Sequence, residues 1–418
     1  MGRPPKAPRI PNAQRGAMEF TVPPVDLDVL RAYRLSRLVE QIRAAGLGGM
    51  LLVDPINTRY ATDSTNMQIW SMHDETRCVF IGPDGAVILF DYDHLPHLVE
   101  DLPFITEVKV MPVFYYFAAG IHAPEAAGRF GGEIVAVMAQ YGDPGLPLAV
   151  DRLSLLGIDA LRERGLRLVD AWPLVEQARC IKSPQEIVLL RNAILVAETG
   201  CAAMRDALVP GITENALWAK LHETNIRLGG EWIETRLLSS GPRTNPWFRE
   251  CSMRPIERGD LVSFDTDLIG PYGYCADISR SWICGDVAPT DAQRTQYKQA
   301  HAQLERNIAI LKPGMSFRDA AEASWPIPEQ YRSTRYSCLA HGVGLADEYP
   351  SLPYREDYDR ANALIYDGEI RENMVLSVES FIGVEGGKEG VKLEDQVLIT
   401  KTGAGRLSSY PFEHALLR

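Results

Sequence analysis

The sequence predicts an α/β protein in two parts, an alternating α/β domain followed by an α+β domain, and three observations carry that prediction. Helical and short apolar runs alternate from about residue 26 to residue 180, the pattern of strands separated by helices. A capping signature, Ser183 with Glu186 three residues on, then opens the long amphipathic run "SPQEIVLLRNAILVAETGCAAMRDAL". Beyond it the strands gather and carry acids in their interiors, where half-buried backbone ordinarily disfavours them.

Taken in order, "MGRPPKAPRIPNAQRGAMEF" is basic and Pro-rich without an apolar segment, and Lys6 stands where a myristoylation signal needs Ser or Thr. Residues 1–25 are therefore expected to be an extended N-terminal arm. "DLDVLRAYRLSRLVEQIRAAG" reads as a helix, and "GGMLLVD", "TRCVFIGP", "AVILFDY", "LPLAVDRL" and "GLRLVDAW" read as strands. These make a first domain over 26–180 and leave 181–418 as the second. There "TENALWAKLHETNIRLGG" predicts another helix, with a capping box from Thr213. The strands "DLVSFDTDLI", "YCADISRSWI", "MVLSVESFIG" and "VKLEDQVLIT" follow. No sequence repeat at solenoid period is present.

With 418 residues, 46% hydrophobic and 23% charged, the chain can bury two cores. A formal net charge of -12 and the lack of a dense Lys/Arg block argue against nucleic-acid or anionic-membrane partners, which reward basic patches. The expected partner is a small molecule. No run of 18 apolar residues occurs, so no membrane span is expected. Seven cysteines without a C-x-x-C pair fit a reducing compartment, the cytoplasm, better than a disulfide framework.

Asp265 and Asp267 are two apart and so share a face of one strand. Asp277 follows across the turn "GPYG", while Glu379 and Glu394 lie in apolar runs joined by "GVEGGKEG". His341 opens "HGVGLADEYP". Any one of these acids alone reads as a solvated edge residue, but five flanked by apolar residues do not. Five carboxylates and one imidazole form a hard, oxygen-rich set suited to a dinuclear site of Mn, Fe, Co or Zn.

The order Asp, Asp, His, Glu, Glu, carried by "GDLVSFDTDLIGPYGYCADISRSW", "HGVGLADEYP", "MVLSVES" and "VKLEDQVLIT", resembles that of the pita-bread metalloenzymes, methionine aminopeptidase, aminopeptidase P and prolidase, and of the metal-free creatinase. "INTRYATDS" and "LSSGPRTNPWF" resemble the creatinase-type N-terminal domain and the entry strand. The resemblance implies a creatinase-like N-terminal α/β domain and a C-terminal pita-bread domain. Three departures matter. The first metal aspartate of the family's peptidases falls on Thr266, flanked by Asp265 and Asp267, so a bulge or an altered loop is expected for these acids to meet Asp277. The extra acid leaves the site net negative after two divalent ions bind. The two peptidase histidines are gone: Trp247 and Phe248 follow "SG", and a shorter loop brings Asp347 to the second histidine of "HGxGxxxHE". In the peptidases these histidines position the scissile amide and stabilise its tetrahedral intermediate, so their loss argues against peptide hydrolysis.

The altered pattern, in "RYATDSTNMQ", "GGEWIETRLLSSGPRTNPWF" and "KLEDQVLIT", is similar to that of dimethylsulfoniopropionate lyases of the DddP type. That resemblance implies a small zwitterionic carboxylate substrate, cleaved to acrylate and dimethyl sulfide by base-catalysed β-elimination. It implies Asp265, Asp267, Asp277, His341, Glu379 and Glu394 as ligands of two divalent ions, iron first, with Mn, Zn, Co or Ni as alternatives. Asp347 becomes the base and Tyr336 a catalytic substrate contact. Trp247 and Trp70 join Tyr336 as faces for a cationic group. Burial or a neighbouring charge such as Glu348 must raise the pKa of Asp347 for it to act as a base. Creatinase-like relatives imply a homodimer in which one N-terminal domain covers the other copy's site. Two other readings stand beside this one. An Xaa-Pro dipeptidase or aminopeptidase is opposed by the missing histidines. A catalytically silent pita-bread binding protein is opposed by the complete acid set, which repels itself without metal.

Overall fold

The computed structural model describes residues 24–358 and 364–418, so the expected N-terminal arm (1–25) lies outside the described residues up to residue 23. Asp26 accepts the amides of Asp28 and Val29 and so caps the helix Leu27–Ala44. Six strands follow: β1 (Gly49–Leu52), β2 (Cys78–Ile81), β3 (Val87–Asp91), β4 (Glu107–Val110), β5 (Leu148–Val150) and β6 (Leu168–Asp170). They form one mixed sheet in the order β4-β3-β2-β1-β5-β6. β1 runs antiparallel to β2 and parallel to β5. Its inner strands read as unbroken apolar runs because both faces are covered. Met50, Leu52, Val79 and Leu89 pack with Leu30 and Leu38 of the first helix. Leu51, Phe80, Ile88 and Phe90 pack with Phe130 and Ile134, on a helix, Ala123–Tyr141, that the strand-based reading passes over.

Ser183 and Glu186 form the expected capping box at the start of the helix Pro184–Ala207. Among the described residues this is the one helix long and apolar enough to cross a membrane, but its apolar side is spent in the core. A Cβ at Gly200 would lie 2.4 Å from Leu221 Cδ1, so the glycine lets the helix Glu214–Arg227 pack closely. Thr213 caps that second helix through the Ala216 amide. Alanine cannot return the bond, so this is a simple cap and not the expected box. The neighbouring acid, Glu214, instead turns inward to the amides of Ser240 and Ser252.

The remaining strands are β7 (Trp232–Ile233), β8 (Leu238–Ser240), β9 (Leu261–Asp265), β10 (Leu268–Ile269), β11 (Cys275–Ala276), β12 (Ser279–Ile283), β13 (Ala340–Val343), β14 (Asp347–Leu352), β15 (Val375–Gly383), β16 (Gly390–Thr400) and β17 (Gly403–Arg406). A small sheet runs β11-β10-β7, and a large antiparallel one runs β14-β13-β15-β16-β12-β9-β8 with β17 on β16. On β16 the side chains of Val391, Leu393 and Val397 enter an apolar cluster with Tyr297 and Leu304 of the helix Asp291–Ile310. By the strand period, Lys392 and Glu394 face the other way. The large sheet thus has a hydrophobic side and a side for chemistry.

Two predicted strands are each split in two, and both breaks fall at the acids. Asp265 pairs with Ser279 and Leu268 pairs with Ala276, so one register continues across the gap and sets Asp267 opposite Asp277. Of the expected bulge or altered loop, no bulge is found between these strands among the described residues. Instead Asp267 takes a left-handed conformation, φ 36°, and Thr266 spans the break, accepting from Ile278 N at 3.0 Å and donating to Ala276 O at 2.8 Å.

Candidate metal centre

Three registers build the centre from the sheet. Asp265 pairs with Ser279, Ser279 with Glu394, and Glu394 with Glu379, which lays the side chains in a row across β9, β12, β16 and β15. His341 extends it on β13, pairing with Ser377 of β15. Its Nε2 lies 3.2 Å from both Asp277 Oδ2 and Glu379 Oε1 and 3.8 Å from Glu394 Oε1. Ligand atoms of Asp277, His341, Glu379 and Glu394 all fall within 4.8 Å of one another, as do those of Asp265, Asp267 and Asp277. All six sequence-predicted metal residues are brought together, in two adjoining groups that share Asp277.

The centre also holds a residue that the sequence reading missed. Lys392 is fully buried, with Nζ 3.0 Å from Asp265 Oδ2, 2.5 Å from Glu379 Oε2 and 2.7 Å from Glu394 Oε2. Ser279 Oγ accepts from it at 2.7 Å and sits 2.6 Å from Asp265 Oδ1. Like charges directly opposite on paired strands repel, and Lys392 lies against both members of the Glu379–Glu394 pair. Its signal was in the quoted "VKLED": an ammonium two residues before Glu394 shares that residue's face. Lys392 adds one positive charge that the expected charge count of the centre leaves out.

None of the five carboxylates is more than 7% exposed. Burial, reinforced by Glu394, pushes Asp265 up to about 6. Burial and neighbouring acids lift Asp267 and Asp277 well above the usual carboxylate range, and burial followed by Glu379 raises Glu394. One ammonium does not balance this many acids, and buried charge without a partner is costly. Asp277 Oδ1 and Glu394 Oε1 are buried with no hydrogen-bond partner among the described residues, the condition of acceptors awaiting a cation. The donor set fits hard divalent metal.

The rim carries the proposed chemistry. Asp347 opens β14 with 46% of its side chain exposed, and its Oδ1 is 3.8 Å from His341 Nδ1. The cleft walls still crowd it: desolvation raises its pKa, Asp265 and Glu348 add to the rise, and His341 works against it. Of the two expected causes, burial and the Glu348 charge, both act, and burial is the larger. Glu348 points away from the cleft. Burial works to raise its pKa, but Lys182 and Arg179 outweigh it and hold the carboxylate below its ordinary value. Both glycines of "HGVG" serve this turn. A Cβ at Gly344 would sit 2.6 Å from the Glu348 carboxylate oxygens, and one at Gly342 2.3 Å from Tyr349 O.

Trp247 and Tyr336 reach the centre, but the cation they face is internal. Lys392 Nζ lies 4.6 Å from the Tyr336 ring centroid and 5.8 Å from that of Trp247. Phe248, not foreseen as a contact, packs against Tyr336 with ring centroids 5.4 Å apart and planes tilted by 31°, and continues the aromatic wall outward, 56% exposed. Trp70 is not brought to this chain's centre. It stands exposed on the N-terminal part, edge-on to Phe117 at 5.8 Å.

Comparison with known proteins agrees with this construction. The profile of metallopeptidase family M24 matches residues 188–401, and that of the creatinase/prolidase N-terminal domain matches residues 34–181. The chain is 44% identical over 397 residues to "Dimethylsulfoniopropionate lyase DddP" of Roseovarius nubinhibens, covering 94% of this chain and 88% of that protein. Identity to the protein of the same name from Roseobacter denitrificans is 41% with the same coverage. An Xaa-Pro dipeptidase of Pyrococcus furiosus is 30% identical over 56% of this chain and 65% of its own length. Among solved structures, the Xaa-Pro dipeptidase from Bacillus anthracis superposes with a TM-score of 0.74 at 22% identity, covering 92% of this chain and 99% of that one. At that identity the likeness shows the fold alone.

Proposed function

The chain belongs to metallopeptidase family M24, in the group of its dimethylsulfoniopropionate lyases, and we propose that it cleaves dimethylsulfoniopropionate to acrylate and dimethyl sulfide. It is a carbon–sulfur lyase. The observation that carries the reading is Asp347, an acid beside His341 where a peptidase of the family places a histidine.

The six residues Asp265, Asp267, Asp277, His341, Glu379 and Glu394 would hold two divalent ions, iron first. When bound, the metal supplies a Lewis-acid seat for the substrate carboxylate and acidifies the carbon next to it. Asp347 takes the proton from that carbon. The C–H electron pair becomes the carbon–carbon double bond, and the β carbon–sulfur pair leaves with dimethyl sulfide. Tyr336 and Trp247 line the seat and exclude water, and the exposed face of Phe248 meets the sulfonium. In a homodimer a second copy's Trp70 completes that wall, a reading supported by the exposed cluster of Trp70, Tyr116, Phe117 and Ile121. Seven free, buried cysteines support a cytoplasmic setting, and the helix start at Pro184 supports a domain division near residue 180.

Headspace gas chromatography of metal-loaded protein with dimethylsulfoniopropionate tests the proposal, beside a panel of Xaa-Pro dipeptides. Dimethyl sulfide release without proline release is the expected outcome. Proline release alone would move the chain to the peptidase reading.

A further inference from the structure

We infer that a buried ionic clamp at the joint between the two halves of the chain is the positioning device for Asp347, so that the N-terminal sheet sets the aim of the base. The inference rests on the reading of Asp347 as base.

Arg179 ends the helix Trp172–Arg179, and Lys182 lies in the short connection to the helix Pro184–Ala207. Both are nearly unexposed and both grip Glu348: Arg179 Nη2 at 2.8 Å and Nε at 3.0 Å on Oε2, Lys182 on Oε1. Glu348 is the chain neighbour of Asp347, and successive side chains of a strand point to opposite faces. Fixing Glu348 into the joint therefore fixes Asp347 toward the cleft.

The sheet itself does little of this work. The pairing of β13 with β14 shifts register between His341 and Gly342, leaving only Gly342–Glu348 and Val343–Asp347 as partners at the end that bears the base. The next amide, Tyr349 N, bonds Glu176 Oε2 at 2.7 Å, on the same helix as Arg179. Behind the clamp, Arg179 Nη1 donates to Asn57 Oδ1 at 2.9 Å and Asn57 Nδ2 to Asp151 Oδ2 at 3.0 Å. Asp151 follows β5 directly and accepts the Val53 amide, just past β1, at 2.8 Å. A continuous run of hydrogen bonds thus joins the N-terminal sheet to the residue beside the base. A buried ion pair of this kind adds little net stability over an apolar packing, but it fixes geometry. A displacement of the base by about 1 Å is enough to cost two orders of magnitude in rate.

The test uses the metal-loaded full chain with Glu348→Gln, the milder Asn57→Ala, and each paired with Asp347→Glu. Arg77→Met, which breaks another buried pair inside the N-terminal half (Arg77 with Asp91, 2.7 Å), is the control for stability loss alone. The expected result is a fall in kcat of about 100-fold for Glu348→Gln and about 10-fold for Asn57→Ala, with KM and metal content unchanged. In the Asp347→Glu background, where the base is already displaced, the Asn57→Ala loss should shrink, because contacts acting through one residue are not additive. A mere loss of folded fraction would multiply equally through both backgrounds and would overturn the inference. So would clamp variants with parent kcat beside an inactive Asp347→Ala. Turnover surviving in Asp347→Ala would instead remove the base reading itself, and the clamp's purpose with it.

Discussion

Two groups of buried charge meet at β14, and they are balanced in opposite ways. In the sheet row, five carboxylates face one ammonium, Lys392. At the joint, one carboxylate, Glu348, faces two cations, Arg179 and Lys182. The row is short of positive charge and has orphaned oxygens, so it is a place for something to bind. The joint is satisfied from within, so it is a place for holding something still. Asp347 stands between them, opening toward the first and anchored through its neighbour in the second.

The sharpest way to break this contrast is to empty the row. Dialysis against a chelator should abolish turnover altogether, with recovery on adding back divalent metal and a fall in Tm that the same metal reverses. A chelated protein that keeps its activity and Tm would mean the row is as self-sufficient as the joint. Next in size is Lys392→Met. Removing this buried ammonium should cost the chelated protein about 3 kcal/mol in denaturant unfolding, and less once metal is bound, because the added cations take over its work. An equal loss in both states would show that Lys392 serves packing alone.

Much of this is legible in the sequence itself. Acids inside apolar strands, with His341 in its Gly-rich turn, single out the five carboxylates and one imidazole that the fold gathers, and Ser183 with Glu186 marks the helix that opens the second half. What escaped depended on distance across the chain. Lys392 was in plain view, but its neighbours on the strand do not reveal that Asp265, 127 positions away in the sequence, lies 3.0 Å from it. Glu348 looked like a charge that could tune Asp347, and only the fold shows two cations from residues 179 and 182 neutralising it. The break at Thr266 defeated a count of residues because a side chain, not an insertion, spans it. Trp70 is expected as an aromatic face for a cation, and within one chain it stays on the surface.

Smaller effects sharpen the picture at the edges. Phe248→Ala strips an exposed face worth about 1 kcal/mol in cation–π contact, so KM should rise several-fold with kcat nearly unchanged. A KM at the parent value would show that the sulfonium rests elsewhere. Asp151, at the far end of the joint, is pushed up to about 7 by burial. Its folded form binds a proton more tightly than the unfolded chain does, so its contribution to stability is present below about pH 4 and is lost as pH rises to about 7. Tm followed over that window should fall less steeply in Asp151→Asn than in the parent, and an identical slope would place the titration on another group.

The most direct test of the central claim is the rate of dimethyl sulfide release by Asp347→Ala with metal content measured on the same sample. The account predicts full metal occupancy with turnover reduced by at least about 10³-fold, the scale of a lost general base. Turnover near the parent level at full occupancy would contradict it.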